Sequence, residues 1–486
     1  MSTAEYGNVT ELGIQNLKAL LELQRSEFRA EGEVTYATRV DRLQRLKALI
    51  VENKKEFATT TKREYGNERS YEFSLFSEYA SKVEAIDYSI KHLKDWMKPI
   101  ARRANKPMNF LGGKSQVRYF PKGVVGIISP WNLPFGLTVA PLTSALAAGN
   151  RALLKPSELV PETAALFAEI VPKYFREDEV AVVTGGVDIG QRFAELPFDH
   201  LLFTGSTNVG AQVMQAAAKN LVPVTLELGG KSPVVIGRSA NLDLAGTRLT
   251  FGKLLNGGQL CLSPDYALVP EDMEEQLVAR LVDEAQSMYP NIAENVDYTG
   301  IISEKHFARL QSYIDDAVAK GANVTIVGAD KTRPLENSRR MPLHILRNVS
   351  EDMHVMHEEI FGPVLPIMTY RDITEVPDKI EPRRNPLALY YFGKDKEERE
   401  YLLNRVPSGG VCVNDITLHY VQEDLPFGGI GASGMGAYHG PEGFRNMSHE
   451  RAIYSQTMID VLPIIGARPP FGDKFRKTIS KVLGSI

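Results

Sequence analysis

The chain has only two cysteines among its 486 residues, and one of them lies in a glycine-rich turn. Cys261 follows two glycines in NGGQLCLSPDY, three residues before a proline. A cysteine thiolate is a strong nucleophile, and glycines let the backbone approach a ligand closely. The turn is therefore a candidate site of nucleophilic catalysis, although free cysteines are also common as small buried apolar residues. Cys412, in the apolar run GGVCVN, is expected to be such a core residue.

Three further segments carry residues suited to chemistry. In VTLELGGKSP an apolar run ends in Glu227 beside two glycines, and a carboxylate there can serve as a general base. In FTGSTNVG, Gly205 and Gly210 lie between an apolar run and a helical pattern, an arrangement that directs backbone N–H groups at a phosphate. In LLKPSE, Glu158 can accept hydrogen bonds from ribose hydroxyls. Structural alternatives stay open: glycines that only shape a turn, a solvated Glu158, and a Glu227 paired with a lysine.

Other motif-like stretches do not fit known sites. GGKS begins at Gly112 and again at Gly229, but neither copy has the earlier glycine that a phosphate-binding P-loop requires. GIGASG, residues 429–434, matches a dinucleotide-binding pattern in letters but follows EDLPFG rather than a buried strand. His354 and His357 lack the partner cysteines or histidines of a metal site, so no metal is expected.

The elements around these motifs follow a recognisable order. Residues 11–100 show the apolar spacing of amphipathic helices. From Gly123 onward, short apolar runs of strand length alternate with helical stretches, which predicts doubly wound parallel sheets with crossover helices. We therefore expect two α/β units, the second beginning near residue 231. Before them, residues 109–123 predict a hairpin, because two glycines precede alternating apolar residues.

Composition limits the classes of partner. Hydrophobic residues make up 43% of the chain and charged residues 24%, as is usual for a globular protein. The net charge of −4 argues against nucleic acid or a membrane surface as the main partner. No run of about 18 apolar residues spans a bilayer, and MSTAEYGNVTELG lacks the features of a secretory signal. Two cysteines form no disulfide framework, so we expect a cytoplasmic protein.

Together these segments resemble the aldehyde dehydrogenase superfamily over residues 123–449, about two thirds of the chain. The motifs that carry the resemblance are PWNLPF, KPSE, FTGSTNVG, LELGGKSP, GQLCLSPDY, EEIFGPV and LPFGGIGASGMGAYHG. Cys261 also follows Glu227 by 34 residues (261 − 227), which is the family's spacing. The forms SPDY, NPLALYYFG and SGMGAYHG are similar to the class 3 branch and, within it, to the coniferyl aldehyde dehydrogenases.

The resemblance implies oxidation of an aldehyde to a carboxylic acid through a thiohemiacetal and a thioester. Cys261 would be the nucleophile, and Glu227 would activate the water that releases the acid. The amide of Asn132 and the backbone N–H of Cys261 would stabilise the oxyanion. NAD is the expected cofactor, with NADP as a second one. Glu158 should favour NAD, because a carboxylate repels a 2′-phosphate.

The resemblance also assigns binding residues. The cofactor residues would be Trp131, Lys155, Glu158, Gly205, Ser206, Gly210, Leu228, Glu359 and Phe361. The substrate pocket would contain Leu133, Phe135, His419 and Phe427, joined by Ile416, Leu418 and Tyr420. This lining is mostly apolar or aromatic, with no evident cation to hold a substrate carboxylate. We therefore expect an apolar or aromatic aldehyde, such as coniferyl aldehyde.

By the same resemblance, residues 1–108 and 123–230 form the NAD-binding domain and residues 231–422 the catalytic domain. Residues 109–122 and 423–486 form the oligomerisation hairpin and the C-terminal segment. A homodimer is expected, because an isolated hairpin is unstable unless it is packed. The basic C-terminal helix, with Phe475, Ile479, Leu483 and Ile486 on one face, is expected to pack on the protein rather than on a membrane.

Three other functions stay open. A broad-specificity oxidation of medium-chain aliphatic aldehydes would suit the same pocket. A CoA-acylating dehydrogenase dispenses with the water-activating glutamate, so Glu227 argues against it. A non-catalytic binding or structural protein on this fold would have lost the nucleophile, the oxyanion donor or the base, and all three are present.

Overall fold

Strands and helices alternate along most of the chain. The computed structural model describes residues 11–106, 108–328, 338–383 and 385–484. The strands are β1 (Ile100–Arg102), β2 (Lys114–Pro121), β3 (Val124–Ile128), β4 (Arg151–Lys155), β5 (Val180–Val182), β6 (His200–Gly205), β7 (Val224–Leu228), β8 (Pro233–Ile236), β9 (Tyr266–Pro270), β10 (Asn323–Val327), β11 (Leu343–Arg347), β12 (Val364–Tyr370), β13 (Ala388–Phe392), β14 (Gly410–Val413), β15 (Gly434–Met435) and β16 (Ser448–Ser455). The helices are α1 (Glu11–Glu31), α2 (Tyr36–Glu64), α3 (Tyr71–Ser74), α4 (Ser81–Trp96), α5 (Gly136–Ala148), α6 (Pro161–Ile170), α7 (Val187–Ala194), α8 (Thr207–Ala218), α9 (Leu242–Leu254), α10 (Glu274–Met288), α11 (Glu304–Ala319), α12 (Val376–Ile380), α13 (Lys396–Leu403), α14 (Gly440–Asn446), α15 (Val461–Ile464) and α16 (Asp473–Leu483).

The first large sheet has six strands in the order β15-β7-β6-β3-β4-β5. Strands β3 to β7 are parallel, and β15 adds to β7 in the antiparallel direction. These parallel strands are almost wholly apolar because helices cover both faces of such a sheet. The chain adds strands on opposite sides of β3, so the strand order reverses between β3 and β6. Ligands of doubly wound sheets bind at the carboxyl ends of the strands beside such a reversal.

The second large sheet has seven strands in the order β10-β11-β12-β9-β8-β13-β14. Its neighbouring strands are parallel except β10, which pairs with β11 in the antiparallel direction. The predicted fold class of two doubly wound α/β domains with a small β element is confirmed. Strand β11 was not predicted from the sequence, because polar His344 and Arg347 interrupt its apolar run LHILR.

The small sheet differs from the hairpin predicted at residues 109–123. That segment supplies a single strand, β2, preceded by a short 3-10 helix at Met108–Leu111. The partners of β2 are β1 on one side and β16, from the C-terminal part of the chain, on the other. The alternating residues therefore do form a strand, but its partners lie outside the predicted hairpin.

The C-terminal helix α16 lies at the surface. None of its residues is buried, although Phe475 lies 4.6 Å from the Phe471 ring. Phe475 and Ile479 are half-buried, and the Thr478 hydroxyl donates to the Ile465 carbonyl at 3.0 Å. Packing of this helix on the protein rather than on a membrane stays a prediction, and Ile486 lies outside the described residues. Among the residues that the structure describes, no helix has both the length and the apolar character needed to cross a bilayer.

Candidate functional site

The turn that carries Cys261 has a backbone that few sequences permit. Asn256, Gly257 and Gly258 have φ values of 53°, 62° and 76°. Glycine and asparagine adopt this left-handed region more readily than other residues. A Cβ at Gly258 would lie 2.5 Å from the carbonyl group of Gly362. The glycines therefore allow the turn to pack directly against the segment around Gly362.

Asn132 lies beside this turn, in the loop that follows β3. It is buried, and its Nδ2 donates a hydrogen bond to the carbonyl oxygen of Gln259 at 3.1 Å. The Gln259 carbonyl lies two residues before Cys261. A primary amide has two N–H donors, so one donor of Asn132 anchors the side chain and one stays available.

Glu227 lies on β7 and is buried. Neither of its carboxylate oxygens has a hydrogen-bond partner among the described residues. Burial raises the pKa of this carboxyl well above its ordinary value. A buried polar group without a partner is costly, and such groups are concentrated at functional sites.

The surroundings of Cys261 disfavour its thiolate. Burial raises the pKa of the thiol to about 12, and the nearby carboxylates of Glu359 and Glu227 add to the increase. The backbone N–H groups of Cys261 and Leu262 act in the opposite direction. The thiol therefore has both carboxyl groups and two backbone donors among its electrostatic neighbours.

Lys155 and Glu158 lie at the carboxyl end of β4, near the reversal of strand order. The Nζ atom of Lys155 is buried and donates to the Pro156 carbonyl at 2.9 Å. A Glu158 carboxylate oxygen lies 3.9 Å from the same Nζ. Burial lowers the pKa of Lys155. The pair presents one donor and one acceptor at the edge where such sheets bind ligands.

The glycines of FTGSTNVG shape the junction between β6 and α8. Strand β6 ends at Gly205, and the Oγ atom of Ser206 caps α8 by accepting from the N–H of Val209. A Cβ at Gly210 would lie 2.5 Å from the Leu228 side chain. Glycine at this position therefore lets α8 pack against the end of β7. The helix N-terminus at this edge suits a phosphate group.

Glu359 and Phe361 stand near the same edge. A Cβ at Gly229 would lie 2.5 Å from the carboxyl carbon of Glu359, so the carboxyl group rests directly on the Gly229 backbone. Burial raises the pKa of Glu359 to about 8, and the negative charge of Asp265 adds to the increase. Its Oε1 has no partner among the described residues, and the Phe361 ring lies 5.4 Å from Trp131. A free buried acceptor suits a ribose hydroxyl, and the two rings suit a flat heterocycle.

Aromatic rings form the wall predicted to face the aldehyde. Phe427 and His439 stack with their centroids 5.4 Å apart, and Tyr420 meets Phe427 edge-on at 4.8 Å. His419 lies 6.4 Å from Phe427. Burial lowers the pKa of His419 to about 4 and that of His439 well below its ordinary value. All four imidazole nitrogens are buried and lack a partner in the described part of the chain.

Two expectations for the pocket need correction. The ring of Phe135 is fully buried at 4.7 Å from those of Phe57 and Tyr79, so the structure places it in the core rather than in the pocket wall. A cation also lies beside the wall, contrary to the prediction. The Nζ atom of Lys82 donates to the Tyr420 hydroxyl at 2.9 Å and lies 4.6 Å from the centre of that ring.

The other predicted pocket residues differ in exposure. Leu133 is half-buried, Ile416 is buried and Leu418 is exposed. Sequence reasoning did not single out His439 as a wall residue, although it stands in the quoted motif SGMGAYHG. It also missed Arg69, which donates to the Asn132 carbonyl at 3.0 Å from 63 residues away. No local motif around Arg69 signals this contact.

A thiol, an amide and an unpartnered carboxyl group thus converge beside a dinucleotide-type edge, as an oxidoreductase acting on aldehydes requires. The chain belongs to the aldehyde dehydrogenase family, whose family model matches residues 2–453. It is therefore an NAD(P)-dependent enzyme that oxidises aldehydes to carboxylic acids, and the predicted family membership is confirmed.

Individual relatives cover nearly the whole chain. The chain is 44% identical over 463 residues to a probable coniferyl aldehyde dehydrogenase of Caulobacter vibrioides, and the match covers 95% of each protein. It is 42% identical over 479 residues to the coniferyl aldehyde dehydrogenase of a Pseudomonas species, covering 98% of each. Among solved structures, the substrate-bound state of Staphylococcus aureus AldH matches with a TM-score of 0.89 and 34% identity, covering 96% of this chain and 99% of that one.

Proposed function

We propose that this enzyme oxidises an aromatic aldehyde and that Cys261, Asn132 and Glu227 carry out the chemistry. The Cys261 sulfur attacks the aldehyde carbon and forms a thiohemiacetal. The negative charge that develops on the aldehyde oxygen needs donors already in place. The free N–H of the Asn132 amide and the backbone N–H of Cys261 fill this role. The hydrogen bond from Asn132 to Gln259 supports it, because this bond holds the amide next to the nucleophile.

The residues proposed to bind the coenzyme are those at the carboxyl edge of the first sheet. Lys155 and Glu158 bind the adenosine ribose, and the N-terminus of α8 with Gly205, Ser206, Gly210 and Leu228 receives the phosphates. Glu359 binds the nicotinamide ribose, while Trp131 and Phe361 flank the ring. When bound, the coenzyme supplies the acceptor for the hydride that leaves the thiohemiacetal carbon. We expect NAD to be preferred, with NADP used less well.

Glu227 is the proposed base for the second half of the reaction. Loss of hydride leaves a thioester on Cys261, which water must cleave to release the carboxylic acid. Glu227 accepts a proton from that water as its oxygen attacks the thioester carbon. Its raised pKa supports this role, because a weaker acid is a stronger base in its ionised form. The oxygens of Glu227 have no partner in the described residues, so they are available to a water molecule.

The aromatic wall is the observation that carries the choice of substrate. A flat ring packs well against Phe427, Tyr420 and His439, whose own rings stack and meet edge-on. A hydroxyl or methoxy group on that ring would give His419 or His439 the hydrogen-bond partner that each lacks. Coniferyl aldehyde has these features, and relatives at 42–44% identity bear its name.

A panel of aldehydes tests this proposal, with NADH formation followed at 340 nm. Burial of an aromatic ring is worth on the order of 2 kcal/mol, so kcat/KM for cinnamaldehyde should exceed that for acetaldehyde about thirtyfold. Coniferyl aldehyde should exceed cinnamaldehyde, because only it offers ring oxygens to the imidazoles. A maximum for hexanal would select the medium-chain alternative. A maximum for acetaldehyde or succinic semialdehyde would contradict the aromatic pocket altogether.

The proposed assembly is a homodimer in the cytoplasm. Most residues of β16 are exposed, and a three-stranded sheet of this kind gains stability when a partner covers it. Two unpaired cysteines agree with a reducing compartment. Light scattering should give twice the chain mass of 53.9 kDa. A monomer mass at micromolar concentration would refute the dimer.

A further inference from the structure

Arg69 and Glu78 form an ion pair whose two side chains are fully buried. The Nη2 atom of Arg69 donates to Oε1 of Glu78 at 2.6 Å. Removing two charges from water is costly, and a buried ion pair is therefore weak evidence for a gain in stability. The contacts that the pair makes with the catalytic loops give it a different role.

The arginine holds the loop of the proposed oxyanion donor. Its Nη1 atom donates to the Asn132 carbonyl oxygen and to Oδ1 of Asn256, both at 3.0 Å. Its Nε atom donates to the Ser74 hydroxyl at 3.1 Å, so each arm of the guanidinium has a partner. The planar, rigid fork of an arginine fixes its partners more firmly than a lysine ammonium does.

The glutamate holds the other end of the same loop. Its Oε2 atom accepts from the backbone N–H groups of Phe135 and Gly136, at 2.9 and 3.2 Å. These groups stand where the loop after Asn132 becomes α5. Glu78 lies in a π-helical turn, Leu75–Ala80, and such turns are often found at functional sites. The ion pair is therefore hydrogen-bonded to the loop on both sides of residues 133 and 134: Arg69 to the Asn132 carbonyl and Glu78 to the Phe135 N–H.

Asn256 extends the network to the cysteine turn. Its Nδ2 atom donates to the Asn132 carbonyl at 3.2 Å and to the Gln259 carbonyl at 3.3 Å. The Gln259 carbonyl also accepts from the Asn132 amide. Hydrogen bonds thus connect the oxyanion donor with the turn that carries the nucleophile. The residues that make them are Arg69, Asn132, Asn256 and Gln259.

We infer that the Arg69–Glu78 pair is a positioning device for the oxyanion site, which fixes the Asn132 amide relative to Cys261. The inference rests on the proposed role of Asn132. Arg69 and Glu78 act through Asn132 and the cysteine turn. Their replacement should therefore lower the rate of the chemical steps while leaving the binding of NAD unchanged.

Two substitutions loosen the network in different ways. Arg69→Lys keeps the buried charge but removes the fork, and Asn256→Gly removes the amide while accepting the φ of 53° at that position. Loss of one oxyanion donor typically costs about 100- to 1000-fold in kcat. A misplaced donor should cost less, so each variant should lower kcat about 10- to 100-fold, with KM for NAD within about twofold. Thermal unfolding checks that both variants fold, and Asn256→Gly carries the test if Arg69→Lys does not.

A double-mutant cycle separates positioning from general structural damage. In the Asn132→Ala background the oxyanion donor is absent, but the backbone carbonyl that Arg69 contacts remains. Arg69→Lys or Asn256→Gly should then lower kcat less than about threefold further, because the donor that each positions is already gone. An equal loss in both backgrounds would overturn the inference. A kcat within about twofold of wild type for both single variants would overturn it as well.

The control is Arg151→Lys, another buried arginine with two carboxylate partners, Glu31 and Asp178. It lies on β4 away from the oxyanion loop, so kcat should stay within about twofold of wild type.

The proposed role of Asn132 and the positioning by Arg69 can fail separately. An unchanged kcat in Asn132→Ala alone would remove the proposed role of Asn132. A large effect of Asn132→Ala with additive effects of Arg69→Lys would leave that role and remove the positioning.

Discussion

Gly229→Ala is the sharpest test of how the coenzyme is held, because the added methyl group meets a single defined obstacle. The new Cβ would lie 2.5 Å from the carboxyl carbon of Glu359, whereas ordinary contacts begin at 3.4 Å. Because Oε2 of Glu359 would lie closer still, the carboxyl group would have to move by more than 0.9 Å (3.4 − 2.5). Glu359 is the proposed partner of the nicotinamide ribose, so this shift should break or weaken its hydrogen bonds to the coenzyme.

The size of the effect follows from the kind of bond that is lost. Glu359 favours its neutral form because its pKa is raised to about 8, and a hydrogen bond between neutral groups contributes about 0.5–1.5 kcal/mol, which corresponds to about 2- to 10-fold in affinity. The dissociation constant for NAD should rise by that factor in Gly229→Ala. If the backbone moves in place of Glu359, Glu227 two residues earlier moves with it, and kcat falls instead.

The assay combines NAD titration of the initial rate at 340 nm with direct calorimetric binding of NAD. Gly190→Ala on α7 is the matched control, because a Cβ there would meet nothing within 4 Å. That variant should bind NAD normally and be no less stable, since alanine is favoured over glycine within a helix. If Gly229→Ala binds NAD and turns over as the wild type does, Glu359 does not hold the coenzyme in the proposed way.

Three further predictions concern the thiol and the coenzyme. Cys261→Ala should abolish aldehyde oxidation and leave NAD binding intact, because the coenzyme residues lie on other segments; turnover at the wild-type rate would exclude Cys261 as the nucleophile. Glu158→Gln should raise the NADP/NAD ratio of kcat/KM, since the carboxylate repels a 2′-phosphate, and an unchanged ratio would show that Glu158 does not contact the ribose. Without coenzyme, inactivation by iodoacetamide should accelerate about tenfold per pH unit between about pH 7 and about pH 10, since only the thiolate reacts. Burial raises the pKa of Cys261 to about 12, so a rate that levels off below about pH 9 would contradict the described environment.

The fold was predictable where strands are buried on both faces and no polar residue interrupts their apolar run, whereas the buried strand β11 was missed because of His344. β3, β4, β6 and β13 read as continuous apolar runs because helices cover both sides of their sheets. The small sheet was harder to predict, because its strand β16 is mostly exposed. Most residues of β16, with the sequence SHERAIYS, face solvent, so the strand carries no apolar signal. Its pairing with β2 joins residues more than 300 positions apart and depends on the tertiary fold alone.

The site was predictable where one short motif carries both the chemistry and the turn that presents it. The glycines before Cys261 and after Glu227 stand within such motifs, and the structure explains each by a neighbouring group that packs directly on the glycine: backbone at Gly257, Gly258 and Gly230, and the Glu359 carboxyl group at Gly229. Apolar residues within a motif are harder to assign, because they face either the pocket or the core. Phe135, in PWNLPF, faces the core.

Burial is the largest cause of the raised pKa values at Cys261, Glu227 and Glu359. In such surroundings each group favours its neutral form, so Cys261, the proposed nucleophile, is a protonated thiol in the free enzyme. The same burial weakens the screening of any charge that enters, because Coulomb interactions grow as the local dielectric constant falls. A positive charge beside the sulfur therefore lowers the thiol pKa strongly, and the ring of an oxidised nicotinamide carries one. If the proposed coenzyme residues hold that ring beside Cys261, the thiolate would form most readily with the hydride acceptor in place, and the thiol of the free enzyme would be protected from other electrophiles.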